Sequence, residues 1–180
     1  MDYLTKSTSR KDLRSYSTIV RKLFNVPLSG RFPILEMMDR IPSVFKGSNC
    51  EIVEDDKLPP KTMARSIQND DGGFTIEIKE SVYSGAYEKQ IGAYLGFICH
   101  ELCHIFLFSI GFTPSFERSF NNNELPAYCS VEWQAKALCA EVMIPYEESK
   151  NMSTTEIINT CHVSKAFAKK HQKLDMEEYM

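Results

Sequence analysis

Apolar residues recur at helical spacing near the start of this chain, which predicts a first helix there. Ser9 precedes the apolar positions and is a residue type that commonly caps helix N-termini. A shorter second helix is predicted in FPILEMMDRIP, with Pro33 near its start and Pro42 ending it. The apolar positions of the first helix are Leu13, Tyr16, Val20, Leu23 and Phe24.

A different period, the alternation of single apolar and polar residues, occurs in FTIEIKE at residues 74–80. Phe74, Ile76 and Ile78 would share one face, which predicts a half-buried strand. The preceding NDDGG tolerates positive φ angles, so this strand and MARSIQ before it are expected to form a hairpin. A further brief strand is predicted in CEIVEDD, which begins at Cys50.

The second half of the chain is expected to be helical. YEKQIGAYLGFICHELCHIFLFSIG has helical length and spacing, and Gly111 is suited to end it. After a polar loop at 113–126, AYCSVEWQAKALCAEVMIP is predicted to be a helix that stops before Pro145. Two short helices are predicted in STTEIINTCHVSKAFAKKHQKL, the first with a capping-box pattern of Ser153 and Glu156.

These elements predict an α+β fold in a single domain over residues 1–180, a length that can bury a real core. Helices are expected in 1–48, strands and two central helices in 49–145, and a helical hairpin in 146–180. We expect a small mixed or antiparallel sheet to pack on the long helix that ends at Gly111, with the other helices flanking it.

The composition is that of an ordinary soluble protein, with 43% apolar and 25% charged residues. A net charge of -3 gives no electrostatic case for nucleic-acid binding. No apolar run approaches the ~20 residues that cross a membrane, and the polar start lacks an apolar signal core, so a cytoplasmic location is expected. The 6 cysteines form no CxxC pair and are expected to be reduced thiols.

The stretch ICHELCHIF, at residues 98–106, places two histidines and a glutamate in an otherwise apolar helix. His100 and His104 lie one turn apart on one face, so both imidazoles can reach one metal ion. Glu101 sits about 100° round from His100, which suits it to take a proton from a water at the metal and pass it to a leaving amine. Burying these groups without a metal would be costly, which favours a metal site over two ordinary core histidines.

A catalytic zinc site usually has three protein ligands, so a third is expected downstream. Glu132 is the best placed, because the small residues Ala135 and Cys139 share its helix face and allow close packing on the histidine helix. The alternative for Glu132 is a surface salt bridge with Lys136, in the favourable Glu-to-Lys order four residues apart.

The other downstream carboxylates are poorer candidates for the third ligand. Glu141 points nearly the opposite way from Glu132 and is expected to face solvent. Glu147 and Glu148 follow Pro145 and are expected to lie outside that helix. The remaining downstream carboxylates are Glu117 and Glu124.

Taken together, HELCH at 100–104 and EWQAKALCAEVMIP at 132–145 resemble the ImmA/IrrE-type zinc metallopeptidases. That family carries His-Glu-x-x-His and, further on, a helix of the form Glu-x-x-Ala-x-x-x-Ala followed by an apolar stretch ending in Met-Pro or similar. The resemblance runs from the predicted strand at 74–79 to Pro145, and more loosely over the terminal helices. Cys103 replaces the usual glycine before the second histidine, and Lys136 replaces the usual Asn or Asp.

The resemblance implies a zincin-like, gluzincin-like fold in which His100, His104 and Glu132 bind Zn2+ and Glu101 is the general base. It implies a cytoplasmic prokaryotic protein, often carried on mobile elements, that hydrolyses a peptide bond in a specific protein. The expected substrate and partner is a helix-turn-helix repressor or antitoxin, and neither direct nucleic-acid binding nor membrane binding is expected.

Other interpretations stay open from the sequence. One is a catalytically weak or inactive zinc-containing module that binds a regulator protein without cutting it. Another is a structural or redox metal site that uses Cys99 or Cys103 with the histidines. Cys103, about 60° from His100, is either a small packing residue or a thiol close enough to the metal to make activity redox-sensitive. No residue is assigned to stabilise an oxyanion, although Tyr128 is a better candidate than His162 or His171.

Overall fold

The computed structural model describes residues 2–114 and 126–177, with side chains only to residue 173 in the last helix. Within these ranges the chain is α+β, as predicted, with helices around a small three-stranded mixed sheet. The predicted loop at 113–126, with Glu117 and Glu124, lies almost entirely outside the described residues. The helices are α1 (Arg10–Leu23), α2 (Ile34–Met38), α3 (Ile41–Val44), α4 (Glu80–Glu88), α5 (Gly92–Ser109), α6 (Val131–Met143), α7 (Tyr146–Ser149), α8 (Thr154–Cys161) and α9 (Lys165–Glu177). The strands are β1 (Asn49–Val53), β2 (Ala64–Gln68) and β3 (Phe74–Lys79).

The sheet has the order β1-β3-β2, with β3 parallel to β1 and antiparallel to β2. The predicted hairpin of β2 and β3 is therefore confirmed, and the sheet is the mixed form of the two that the sequence allowed. Ile76 and Ile78 are fully buried, as the alternating pattern predicts, whereas Phe74 is only partly buried. Among the described residues β2 pairs with β3 alone, so it is an edge strand.

Helix α1 begins as predicted, with Ser9 and Asp12 forming a reciprocal capping box. Leu13, Val20 and Phe24 are fully buried and anchor α1 to the core, confirming their predicted face. Leu23 differs from its predicted core position, because 44% of the residue is exposed. The core-facing stripe of α1 is therefore narrower than the sequence pattern indicates.

Helix α5 is the central helix of the fold and packs against α6, β2 and β3. It ends before Gly111, whose φ of +86° is the left-handed conformation that favours glycine at this position. By length and composition α5 could also cross a membrane, with 18 residues and a mean hydropathy of 1.3. Half of that stretch is buried inside the protein, and the core helices of soluble proteins pass the same test.

Two local predictions differ from the structure. Pro42 does not simply end a second helix, because it lies in the first turn of the separate short helix α3. Proline is tolerated there since first-turn N–H groups have no partner within the helix. Helix α4 was not predicted: the sequence pattern assigned Glu80 to the strand, began the long helix at Tyr87 and left 81–86 without an element, whereas α5 begins only at Gly92. The predicted pair α8 and α9 is present, and Ser153 and Glu156 form the expected capping box.

Glu141 is buried, and the prediction that it faces solvent is wrong. Only 1% of its side chain is exposed, because α1 packs along the face of α6 opposite Glu132. Its Oε1 accepts a hydrogen bond from Arg10 Nε at 2.8 Å and lies 3.5 Å from Arg14 Nε. His171 of α9 lies on the other side, with Nε2 3.9 Å from Oε2 of Glu141. A buried ion pair thus joins α1 to α6, and a residue of α9 packs beside it.

Glu141→Gln is expected to lower the free energy of unfolding by about 3 kcal/mol, because removing one charge of a buried pair leaves the opposite charges poorly compensated. Urea unfolding measures the change. Glu147→Gln is the matched control, since its ion pair with Lys150 is solvent-exposed and contributes within about 0.5 kcal/mol. Equal losses in the two variants would contradict a structural role for the Glu141 cluster.

Candidate metal centre

The two histidines of α5 and Glu132 of α6 come together where these helices pack side by side. The Nε2 atoms of His100 and His104 are 3.1 Å apart. The Glu132 carboxylate faces both rings, with Oε2 3.5 Å from His100 Nε2 and Oε1 3.4 Å from His104 Nε2. The three residues form a group whose donor atoms all lie within 4.8 Å of one another.

The close helix packing that brings Glu132 to the histidines depends on small residues, as the sequence suggested. Ala135 and Cys139 are buried on the same side of α6. The Cys139 thiol lies 3.6 Å from the carbonyl oxygen of Gly96 in α5, so the two helices are in direct contact here.

The separations of the three donors fit a metal ion. Around a tetrahedral ion with bonds of about 2.0–2.1 Å, neighbouring donor atoms are about 3.3–3.4 Å apart. The two ring nitrogens are 3.1 Å apart, and each faces a different oxygen of Glu132, at 3.5 Å for His100 and 3.4 Å for His104. With one donor atom from each residue, the three lie within 4.8 Å of one another. Without a cation, the two facing Nε2 atoms can share at most one proton between them. With a cation between the residues, both nitrogens and the carboxylate can direct lone pairs at the ion. Nitrogen and carboxylate donors suit zinc and several other divalent ions.

Electrostatics favour the ionised form of Glu132. Hydrogen bonding from His100, and then from His104, holds the pKa of the Glu132 carboxyl well below its ordinary value, and the charges of both rings act in the same direction. Partial burial opposes this shift but does not reverse it. An anionic ligand is therefore present at neutral pH beside two nitrogen donors.

The alternative salt bridge with Lys136 is also present, and it shares Oε2 of Glu132 with His100. Lys136 Nζ lies 3.7 Å from Glu132 Oε2, and both side chains are exposed to solvent. Such a pair contributes little to stability. The same carboxylate contacts His100 and His104, so the structure contains the salt bridge and also places Glu132 beside both histidines. Its role as a metal ligand stays a prediction.

Glu101 lies between the histidines in sequence but turns its carboxylate towards the sheet. Its Oε2 accepts a hydrogen bond of 3.0 Å from the Ser66 hydroxyl on edge strand β2. Glu101 is partly buried and is not a member of the ligand group. Its absence from the ligand group agrees with the sequence analysis, and its role as general base stays a prediction. Ser66 gave no signal in the sequence, because only the packing of β2 on α5 brings it to Glu101.

The N-terminal segment, residues 2–8, positions the start of α6 and was missed by sequence analysis. Leu4 forms an antiparallel bridge with Ser130, and the Asp2 carboxylate accepts hydrogen bonds from the Ser130 hydroxyl and the Glu132 backbone N–H. Ser130 is itself the N-cap of α6 and accepts from the backbone N–H of Trp133. The first turn that carries Glu132 is therefore fixed from two sides.

Packing against Phe108 holds the His104 ring. The centroids of the two rings are 5.7 Å apart, and the planes are tilted by 30°. Metal-binding histidines usually donate their second ring N–H to a partner. Nδ1 of His104 is buried and makes no hydrogen bond to any residue in the described parts of the chain. The orientation of this ring thus depends on aromatic packing.

The cysteines near the histidines belong to the core. Cys99 and Cys103 of α5 and Cys139 of α6 are all buried. Burial raises the pKa of the Cys103 thiol, which disfavours the thiolate form that binds metals. The ligand group found in the described residues contains no cysteine, so the geometry favours the packing interpretation of Cys103.

The remaining candidates from the sequence are not brought into the ligand group. His171 lies beside buried Glu141, and Tyr128 and His162 are exposed.

Comparison with protein-family models and with curated proteins gave no match to this chain. The resemblance to the ImmA/IrrE-type peptidases therefore stays a prediction from the residue pattern. A functional proposal rests instead on the group of His100, His104 and Glu132.

Proposed function

We propose that this protein is a zinc-dependent endopeptidase of zincin-like fold that hydrolyses a peptide bond in a specific protein. The observation that carries the proposal is the convergence of His100 and His104 of α5 with Glu132 of α6. Glu101 lies between the two histidines in the sequence of α5 and is held by Ser66. Three protein donors leave one position of a tetrahedral ion for water or substrate, which is the arrangement of catalytic zinc sites.

Bound zinc would polarise the scissile carbonyl and lower the pKa of a water molecule. His100, His104 and Glu132 serve to bind and orient the ion. Glu101 accepts a proton from the attacking water on its carboxylate and then donates that proton to the nitrogen of the leaving amine. The Ser66 hydroxyl donates a hydrogen bond to Oε2 of Glu101 and so fixes the direction in which the carboxylate points.

The edge strand β2 provides a place for an extended substrate. Its free edge can pair with a peptide backbone, a common mode of peptide recognition. Ser66 connects this strand directly to Glu101, so a peptide along β2 would pass close to the proton-transfer group. The residue pattern that resembles the ImmA/IrrE-type peptidases leads us to propose a helix-turn-helix repressor or antitoxin as the substrate, and a cytoplasmic location.

Profiling of new protein N-termini in the host cell tests the proposal. Cells that express the wild-type protein are expected to contain new termini that are absent when a His100→Ala, His104→Ala double variant is expressed. The cleaved protein identifies the substrate. A different result would contradict the proposal: a regulator that co-purifies intact with both the wild-type protein and the double variant, while no new terminus arises. In that case the protein is better described as a binding module.

Ser66→Ala is expected to lower kcat for the identified substrate about tenfold, because loss of a hydrogen bond to a functional carboxylate misaligns it. Zinc content should stay at the wild-type level, since Ser66 does not contact the ligand group. Steady-state kinetics and elemental analysis give the two values. Wild-type kcat in this variant would show that Ser66 does not orient Glu101.

A further inference from the structure

An apolar groove lies beside the candidate metal centre, between α1, the β2–β3 hairpin and the C-terminal half of α5. It has a volume of about 710 Å³, within the range of about 300–1,000 Å³ typical of ligand pockets. Among the described residues that line it, Lys46 is the only charged one. Its rim and floor include Ile19, Leu23, Phe74, Ile105, Phe108 and Ile110.

The groove is continuous with the candidate site through two side chains. Phe108 lines the groove and packs on the ring of His104. The Phe108 ring also packs on Phe74, with 5.5 Å between the two ring centroids. Ser66 lines the groove and donates to Glu101. A molecule in the groove would therefore contact Phe108 and Ser66, the direct neighbours of His104 and Glu101.

The exposed apolar residues of α1 lie at the outer part of this groove. Ile19 and Leu23 are one helical turn apart, and both line it. The sequence pattern of α1 predicts that Leu23 is buried, yet 44% of this residue is exposed. The other described residues therefore leave an apolar side chain of α1 uncovered. Contiguous exposed apolar surface of this kind marks binding sites.

We propose that this groove selects the substrate of the endopeptidase by binding large apolar side chains of an extended peptide paired along β2. The inference rests on the proposed function for the location of the scissile bond. Side chains of a strand alternate in direction, so a peptide beside β2 would direct every second side chain towards the groove that Ser66 and Gln68 line. The expected substrate segment is therefore one in which large apolar residues alternate with polar residues.

Fluorescence polarisation with two labelled peptides tests the inference without any cleavage. One probe has eight residues in which leucine alternates with threonine between terminal lysines, and the other has serine in place of each leucine. The protein used is the full chain carrying Glu132→Ala, with wild type alongside. We expect the leucine peptide to bind both proteins alike and the serine peptide to bind about tenfold more weakly.

A matched pair of double variants assigns the binding to the groove. Ile19→Gln with Leu23→Gln is expected to weaken binding of the leucine peptide about tenfold. Leu28→Gln with Ile52→Gln is the control, because these residues are of the same types and equally exposed (50% and 49%, against 45% and 44%) but do not line the groove. Binding of the control variant should equal that of wild type.

Three outcomes would overturn the inference: equal binding of the two peptides, equal effects of the two double variants, or self-association of the chain that Ile19→Gln with Leu23→Gln abolishes. The last result would assign the groove to a second copy of the chain. Selective peptide binding in a protein that yields no new termini in cells would leave the groove in place and remove only the proposed cleavage.

Discussion

Glu132→Ala is expected to lower the affinity for zinc on the order of a thousandfold, because one of three protein donors is lost and it is the only anionic one. The two histidines alone project from one face of α5 and would bind zinc weakly. Elemental analysis should find about one zinc per wild-type chain and little in the variant. Competition with a chelator of known affinity then gives the size of the change.

Lys136→Ala is the control that separates the two roles of Glu132. It removes the exposed ion pair with Glu132 and keeps the carboxylate that faces the histidines. Zinc content is expected to equal that of wild type, since exposed ion pairs contribute little. If Glu132→Ala keeps its zinc as well, Glu132 is not a needed ligand and the buried cysteines become the residues to test.

The histidine pair and Glu101 could be predicted from the sequence because their geometry is local. One turn of helix fixes the relation of His100 to His104 whatever surrounds it. Glu132 is 28 residues beyond His104 and required a second signal, the small residues Ala135 and Cys139 on its face. That signal was sufficient because small residues on facing helices indicate close packing.

The parts that could not be predicted depend on contacts between distant segments. Glu141 looked solvent-facing because only α6 was considered, and α1 supplies both the cover and the arginines. Ser66 is one of many serines until β2 is placed on α5. Asp2 caps α6 across most of the length of the chain. In each case a polar residue has a role that only its tertiary partner defines.

The position of Ser66 also explains why the mixed sheet matters for the site. Within the described ranges, the hairpin leaves one edge of β2 without a strand partner and places β2 beside α5. The same strand thus contacts Glu101 and, under the proposed function, would offer its backbone to a peptide. Substrate pairing and orientation of the base are therefore expected to depend on one element.

Glu101→Gln is expected to lower kcat by about 10²–10⁴-fold with zinc content unchanged. The amide has the size of the carboxylate and can still accept the Ser66 hydrogen bond, so the ligand group and the packing of β2 should be preserved. It cannot take a proton from the attacking water or deliver one to the leaving amine. Kinetics on the substrate identified from its new terminus, with elemental analysis of the same preparation, measure both quantities.

Glu147→Gln is the matched control for this variant, because it makes the same chemical change at an exposed position outside the site. Its kcat should equal that of wild type. Cleavage that persists at the wild-type rate in Glu101→Gln would remove Glu101 as the base while leaving the metal centre in place. Loss of cleavage together with loss of zinc would instead mean that Glu101 supports the ligands, since a proton carrier is not needed to hold the ion.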